Sequence, residues 1–479
     1  MKFILNGKEK DFNGNPELSL LKYLRNVEGI TTVKDGCSGQ GSCGSCTVQL
    51  NNKAILSCVT PMEKVEGMEI VTTDGLGEYK QKVFANAFVE KGGTQCGFCI
   101  PGIVMRTDAL LHQNANPTRE EIINSLTPHI CRCTGYKKIV DSIEYVAEAV
   151  REGKTIPIPK QNARVGKRQP KYDADKLTLG NAPYVDDLKF EGMLYGALKF
   201  SKYPRAKVVG IDISSAEKLK GVRKIILAKD IPGERITGSI VKDWPMMVEV
   251  GETTRYVGDV LASVVAESDD IARKALELIT VDYEVLNPLT EMSKALDKDA
   301  PQIHENGNLL SETIVDRGNL DTAKKQSKYI STGTYETQMI EHAFMETEAA
   351  VGKYIDGGVE VYSQSQGVYE DRRQITKILN LPDEKVRVVL VPNGGGFGGK
   401  EDLTVQHHAA LASFLVHETV KFSLTRDESI IMHPKRHPIK MKYNLGCDEN
   451  GKLTFLHADI LGDTGAYASV GMKVLERAA

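Results

Sequence analysis

Asp35-Gly36-Cys37-Ser38-Gly39-Gln40-Gly41-Ser42-Cys43-Gly44-Ser45-Cys46-Thr47 is the stretch from which the fold can be worked outward. With Cys58 it gives the spacing C-x5-C-x2-C-x11-C. An iron–sulfur cluster needs thiolates converging from one side and backbone N–H groups turned toward its sulfides. Small residues let a loop wrap that closely. Gly36–Thr47 holds four glycines and three serines in twelve residues. The plant-type [2Fe–2S] spacing is C-x4-C-x2-C, so this loop carries one extra residue. A zinc knuckle is the competing assignment. Zinc sites usually present two C-x2-C pairs, and this loop presents one. The spacing predicts a [2Fe–2S] centre on Cys37, Cys43, Cys46 and Cys58.

Four more cysteines follow as C-x2-C-x31-C-x-C, at Cys96, Cys99, Cys131 and Cys133. A C-x-C pair is awkward for tetrahedral zinc but workable for a cluster between two helix N-termini, whose dipoles favour negative charge. A redox disulfide at Cys96–Cys99 competes on spacing alone. The C-x-C pair and the neighbouring first quartet favour a second metal centre. Cys447 stands alone, beside a turn, as an idle thiol.

A chain of 479 residues holds several domains of roughly 100–200 residues each. Its net charge of −3 gives no sign of a nucleic-acid partner. No run of about 18 apolar residues suggests a membrane span, and Met1–Gly7 reads as a strand entering a turn rather than a signal peptide. The expected compartment is the cytoplasm, where clustered cysteines more often hold metal than disulfides.

Turn signals at Asn6-Gly7 and Asn51-Asn52 separate strands at Lys2–Leu5, Thr47–Leu50 and Met68–Thr72, with one helix at Ser19–Asn26. This makes 1–77 a small β-rich domain. Residues 78–152 carry helical periodicity at Ile103–His112, Arg119–Leu126 and Lys137–Arg151. A linker rich in proline, lysine and arginine spans 153–172, its basic cluster most simply a solvated one. An α/β domain covers 173–290, with strands at Met193–Phe200, Lys224–Ala228 and Val260–Ala266 and a helix at Asp269–Ile279. A last region, 305–479, holds strands at Gly358–Ser363 and Val386–Val391 and a helix at Thr404–Val416. The fold class is α+β multidomain.

Pro392-Asn393-Gly394-Gly395-Gly396-Phe397-Gly398-Gly399-Lys400-Glu401 satisfies G-x-G-x-x-G and nearly satisfies the P-loop pattern. Glu401 occupies the P-loop Ser/Thr position, where a carboxylate would repel phosphate, and no regular βαβ pattern is evident. The histidines (His342, His407, His408, His433, His437) form no H-E-x-x-H and read as structural.

The segments Gly36–Thr47, Thr94–Gly102 and Cys131-Arg132-Cys133-Thr134-Gly135-Tyr136 resemble the molybdenum hydroxylases, the family of xanthine dehydrogenase, aldehyde oxidoreductase and nicotinate dehydrogenase. The resemblance covers the whole chain. It implies a β-grasp [2Fe–2S] ferredoxin domain, a four-helix [2Fe–2S] domain, an α/β hammerhead domain and the N-terminal part of a molybdopterin-binding domain. The extra loop residue and Ser201-Lys202-Tyr203-Pro204 depart from the usual pattern and mark a divergent branch.

The same resemblance assigns the glycine loop, with Gly395, Gly396, Phe397 and Gly398, to the molybdenum site. It gives Gln364 as the glutamine that hydrogen-bonds a molybdenum ligand, with Gln366 a rival. Gln95 and Cys133 bridge the pterin to the nearer cluster, and Glu401 contacts a purine substrate. It implies water-derived hydroxylation of a purine or other N-heterocycle, or alternatively of an aldehyde or nicotinate, with electrons leaving through two clusters. The catalytic glutamate is expected beyond Ala479. The expected partners are a chain completing the molybdopterin domain and an FAD-binding subunit. An electron-transfer fragment without hydroxylase activity is the reading from a different class.

Overall fold

The computed structural model describes residues 1–161, 164–167 and 169–479. Residues 162, 163 and 168, which belong to the expected linker and its basic cluster, lie outside the described residues.

The first domain is a five-stranded sheet in the order Lys8–Asp11, Lys2–Leu5, Glu69–Val71, Thr47–Leu50, Lys53–Leu56. Lys2–Leu5 and Glu69–Val71 run parallel at its centre. Both hairpins turn as read from sequence: Asn6, Gly7, Asn51 and Asn52 all have positive φ, which type I′ turns require. The expected helix at Ser19–Asn26 is a short α turn, Leu20–Lys22, capped by Ser19, running into a wider π turn, Tyr23–Val27. The buried guanidinium of Arg25, on that wider turn, donates to Val33 O at 2.8 Å.

Four helices follow at Glu78–Lys91, Ile100–Gln113, Arg119–Ser125 and Lys137–Glu152. The first has no start signal in sequence, since Gly77 offers no capping side chain. The third begins with a capping box, in which Glu121 N donates to Thr118 Oγ1 and Thr118 N donates to Glu121 Oε2.

The two remaining regions share one seven-stranded sheet, ordered Val386–Leu390, Gly358–Ser363, Ala349–Ile355, Val420–Ser423, Leu194–Phe200, Val260–Ala266, Val222–Ile226. Four strands come from the C-terminal region and three from the hammerhead region. The seam is the parallel pairing of Val420–Phe422 with Leu194–Gly196. One expectation is corrected here: Gly358–Ser363, the helix Val368–Ile378 and Val386–Leu390 do form a parallel βαβ unit. The helix buries Asp371, Gln374 and Thr376 beside Ile375 and Ile378, so polar residues in the buried stripe hid its period.

A buried ionic cluster fastens the first domain to the hammerhead. Asp187 accepts from Arg25 Nη1 at 2.9 Å, from Lys34 Nζ at 2.6 Å and from Tyr184 N at 2.9 Å. Asp186 pairs with Arg25 Nη2 at 2.8 Å, and its backbone oxygen accepts from Lys421 Nζ at 2.7 Å. The side chain of Lys34 is fully buried.

Candidate functional site

All nine cysteines are free, so the Cys96–Cys99 disulfide is not formed. The loop Gly36–Thr47 folds its thiols onto one another: Cys37 meets Cys43 and Cys58, and Cys46 meets Cys58. These contacts hold the Cys37 and Cys46 thiols below the usual range and push Cys43 and Cys58 up. Backbone N–H groups of Ser42 and Cys43 point at the Cys37 sulfur, as cluster binding requires.

The second quartet pairs Cys99 with Cys131 and Cys96 with Cys133. The contact with Cys99 holds the Cys131 thiol at about 6. Cys99 sits at the N-cap of Ile100–Gln113, and Cys131 and Cys133 lie just before Lys137–Glu152. The two helix N-termini thus face this quartet. Paired thiols suit a two-iron centre, each iron taking two, better than mononuclear zinc.

The quartets are joined by a short path. Ile130 N donates to Cys43 O at 2.9 Å, and Cys131 is the next residue. Gly44 permits this approach: it has φ +76°, and a Cβ there would meet Pro128 O at 2.5 Å. On another side Phe98, Tyr184 and Met345 pack in one buried cluster with Cys37, Cys43 and Cys96. Phe98 and Tyr184 meet edge to face at 5.1 Å, and Tyr184 Oη donates to Cys96 O at 2.7 Å.

The glycine loop lies beside the second quartet. Gly394 packs against Phe98, and its N–H donates to Glu346 Oε2 at 2.6 Å. Arg132, between the two ligands Cys131 and Cys133, donates to His342 O at 2.9 Å and stands 5.9 Å over the Phe397 ring. Phe397 is 47% exposed with φ +56°, so a bulky side chain is held outward on a left-handed backbone. A phosphate loop is ruled out. Lys400 is buried and turned inward, donating to Glu346 O at 2.9 Å and to Gln364 Oε1, and the next helix starts only at Gln406.

Gln364 is buried. Its carboxamide is buried and committed: Nε2 donates to Thr347 O at 2.7 Å and to Ala349 O at 3.3 Å, while Oε1 receives Lys400. Gln366 is the glutamine against the loop. It is exposed, and its Oε1 accepts from Gly398 N at 2.9 Å. A Cβ on Gly396 would sit 2.3 Å from that oxygen. Gln366 Nε2 makes no hydrogen bond among the described residues. Gln95 is exposed beside Cys96, and Cys133 is partly exposed. Glu401 is exposed at the end of the loop and does not cap the following helix, whose Thr404 and Val405 N–H groups bind Gln406 Oε1.

Buried atoms without partners lie near the loop: Asn393 Oδ1, Glu346 Oε1 and His342 Nδ1. A loop in which Gly394 and Gly396 leave no room for a Cβ, edged by unpartnered polar atoms, fits a polar cofactor such as a pterin.

Burial pushes the Glu346 carboxyl from 4.5 up to about 7, against the pull of Lys400 and the Gly394 N–H. The folded state therefore holds this proton more tightly than the unfolded chain does. Its contribution is full below pH 4.5 and is lost as pH rises to about 7, by roughly 3 kcal/mol. Glu346→Gln should lack that slope. Relative to wild type, its unfolding midpoint should be higher at pH 8 than at pH 5; equal differences at both would count against it.

Arg132 and Arg426 have no signal of their own in sequence, and Lys400 only its place in the near-P-loop pattern. His342 and Glu346 stand four apart in Glu341–Glu346, which forms no metal motif. It runs beneath the glycine loop, where His342 packs on Gly399 and Phe344 on Gly395. The other histidines named above are buried or partly buried. His407 and His408 are buried in Gln406–Val416, and His433 is buried between Glu341 at 2.6 Å and Glu348 at 3.1 Å.

Family models match the chain in succession. A 2Fe-2S iron-sulfur cluster binding domain covers 3–68 and a [2Fe-2S] binding domain 72–144. An aldehyde oxidase and xanthine dehydrogenase a/b hammerhead domain covers 179–287, and a molybdopterin cofactor-binding domain 303–479. The chain is 40% identical over 298 residues to a probable xanthine dehydrogenase subunit of Bacillus subtilis (62% of this chain, 40% of that one). It is 36% identical over 315 residues to the nicotinate dehydrogenase large molybdopterin subunit of Eubacterium barkeri (66% and 74%). The solved aldehyde oxidoreductase from Desulfovibrio gigas superposes with a TM-score of 0.94 at 30% identity, over 100% of this chain and 55% of that one. The chain belongs to the molybdenum hydroxylase family of xanthine dehydrogenase and aldehyde oxidoreductase. It carries domains for two [2Fe–2S] clusters and for molybdopterin, and spans about half the length of the solved relative. Among the described residues no helix is long and apolar enough to cross a membrane.

Proposed function

We propose that the chain is the cluster-bearing part of a molybdenum hydroxylase acting on a purine or related N-heterocycle. The observation that carries this is the continuity of the site. The glycine loop touches the Cys96 quartet through Phe98 and Arg132, and that quartet reaches the first through Ile130 and Cys43. When bound, the molybdenum cofactor supplies two-electron oxidation of a substrate carbon with oxygen taken from water.

The chain's residues do the rest. The eight cysteines hold two one-electron carriers, which divide the two-electron event. Gly395, Gly396 and Gly398 let backbone approach the cofactor, Gln366 offers its free amide N–H, and Phe397 covers the loop's open side. Gln95 and Cys133 meet the pterin on the exposed side of their cluster. Glu401 can accept hydrogen bonds from the ring N–H groups of a purine. A chain completing the molybdopterin domain and an FAD-binding subunit are the proposed partners, in the cytoplasm. The Eubacterium barkeri relative, named a large molybdopterin subunit, supports a divided site.

The test is anaerobic addition of xanthine, nicotinate or an aldehyde to the assembled protein, following bleaching of cluster absorbance. Bleaching by xanthine supports the proposal. Bleaching by aldehyde alone favours the second reading, for which the likeness to aldehyde oxidoreductase speaks. No bleaching, with molybdenum present and dithionite reducing both clusters, rejects both and leaves an electron carrier.

The two glutamines separate by different assays. Gln366→Ala should lower molybdenum content with stability changed by less than about 0.5 kcal/mol. Gln364→Ala removes an acceptor from buried Lys400 and should cost about 1–3 kcal/mol in thermal unfolding. Molybdenum retained in the first variant and lost in the second would reverse the assignment.

A further inference from the structure

Arg426 belongs to the molybdopterin domain, yet it is bonded into the loop of the first quartet. Its Nε and Nη2 donate to Gly36 O at 3.0 and 2.8 Å, and Nη2 also reaches Met345 O at 2.8 Å. Its backbone N–H donates to Ser38 Oγ at 2.8 Å, and the adjacent Asp427 accepts from Gln40 Nε2 at 3.1 Å. Gly36 and Ser38 flank the ligand Cys37. A Cβ on Gly36 would lie 3.3 Å from Cys43 Sγ, so the residue whose carbonyl Arg426 grips is packed beside that sulfur.

Arg426 is partly buried and makes no ion pair among the described residues. The carboxylates that face it, Glu341 and Glu348, are paired with His433, and Glu341 also with Lys435 at 3.1 Å. Asp35 is the acidic group on the loop's own side, close to Cys37 and facing Arg25. The guanidinium charge is therefore directed at backbone oxygens of the cluster loop and, through them, at the Cys37 and Cys43 sulfurs. A positive charge in a partly desolvated setting favours whichever redox state is more negative.

We propose that Arg426 is a positioning residue for electron flow: its charge makes the Cys37/Cys43/Cys46/Cys58 centre easier to reduce than it would be without that charge. One electron leaves the Cys96 quartet's cluster, which is oxidised by one, and enters the first cluster, which is reduced by one. No proton or further reactant is needed. The inference rests on both quartets holding [2Fe–2S] clusters.

Potentiometric titration read by electron paramagnetic resonance tests it in the whole protein, with iron and sulfide counted first so that loss of a cluster is told apart from a shift. Arg426→Gln should lower the midpoint of the first centre by about 59 mV or more, a tenfold change in its one-electron equilibrium, and leave the second unmoved. Arg426→Lys keeps the charge and should shift it by less than about threefold. An unmoved first centre with full iron content, or equal shifts of both centres, overturns the proposal. If Arg426→Gln takes up no iron in the first site, Arg426→Lys decides: a midpoint near wild type supports the role of charge, and a tenfold shift overturns it.

Discussion

Cys99→Ala protein is expected to lose half of its cluster iron, keep the first cluster's spectrum, and reduce external acceptors only at background rate. Cys99 is both a ligand and the N-cap of Ile100–Gln113, and its partner Cys131 is buried beside it. Three thiols left around an apolar pocket cannot close a two-iron centre. Because ligand binding and folding are one equilibrium in such sites, the helical domain should also lose stability. Iron analysis with paramagnetic resonance measures the first effect, and turnover with a dye acceptor the second. Normal acceptor reduction with a single cluster would show that electrons bypass the second quartet.

Asp187→Ala should cost about 3–5 kcal/mol of stability. Asp187 is the acceptor for Arg25, Lys34 and the Tyr184 N–H at once. Truncation strands the Lys34 ammonium, which is fully buried and keeps Gly180 O at 3.3 Å and the Tyr184 ring at 4.9 Å. The damage lies between domains, so the first domain should melt earlier and be cleaved from the rest more readily. Thermal unfolding followed by limited proteolysis checks this, and a loss below about 1 kcal/mol would mean the cluster is dispensable.

What sequence could disclose followed from local rules. Cysteine spacing marked both metal centres because ligand geometry is written in a few consecutive residues. The Asn-Gly and Asn-Asn turns and the strands Lys2–Leu5, Thr47–Leu50, Val260–Ala266 and Gly358–Ser363 also depend on neighbours in the chain. The rest depended on distant contacts. Gln364 and Gln366 are two residues apart on the same strand end, and only tertiary packing decides that the first meets Lys400 and the second the glycine loop. Arg426 reads as an ordinary helix-start arginine, since its partners at Gly36 and Ser38 lie almost four hundred residues earlier. The βαβ unit at 358–390 was hidden because Asp371 and Ser363 form a buried hydrogen bond where an apolar contact would have kept the pattern.

The seven-stranded sheet bears on how such a protein tolerates rearrangement. Its strands from 194–266 and from 349–423 pair along one seam, and the peptide joining them contributes no strand to that sheet between Ala266 and Ala349. A break in the intervening chain severs the covalent link but leaves the sheet intact. Two separately translated pieces divided there could reassemble by strand pairing. Exchanging the hammerhead for that of a relative would instead replace three strands of a common core. Recombination at this junction therefore keeps the strand pairing of the common core when both sides of the seam are inherited together.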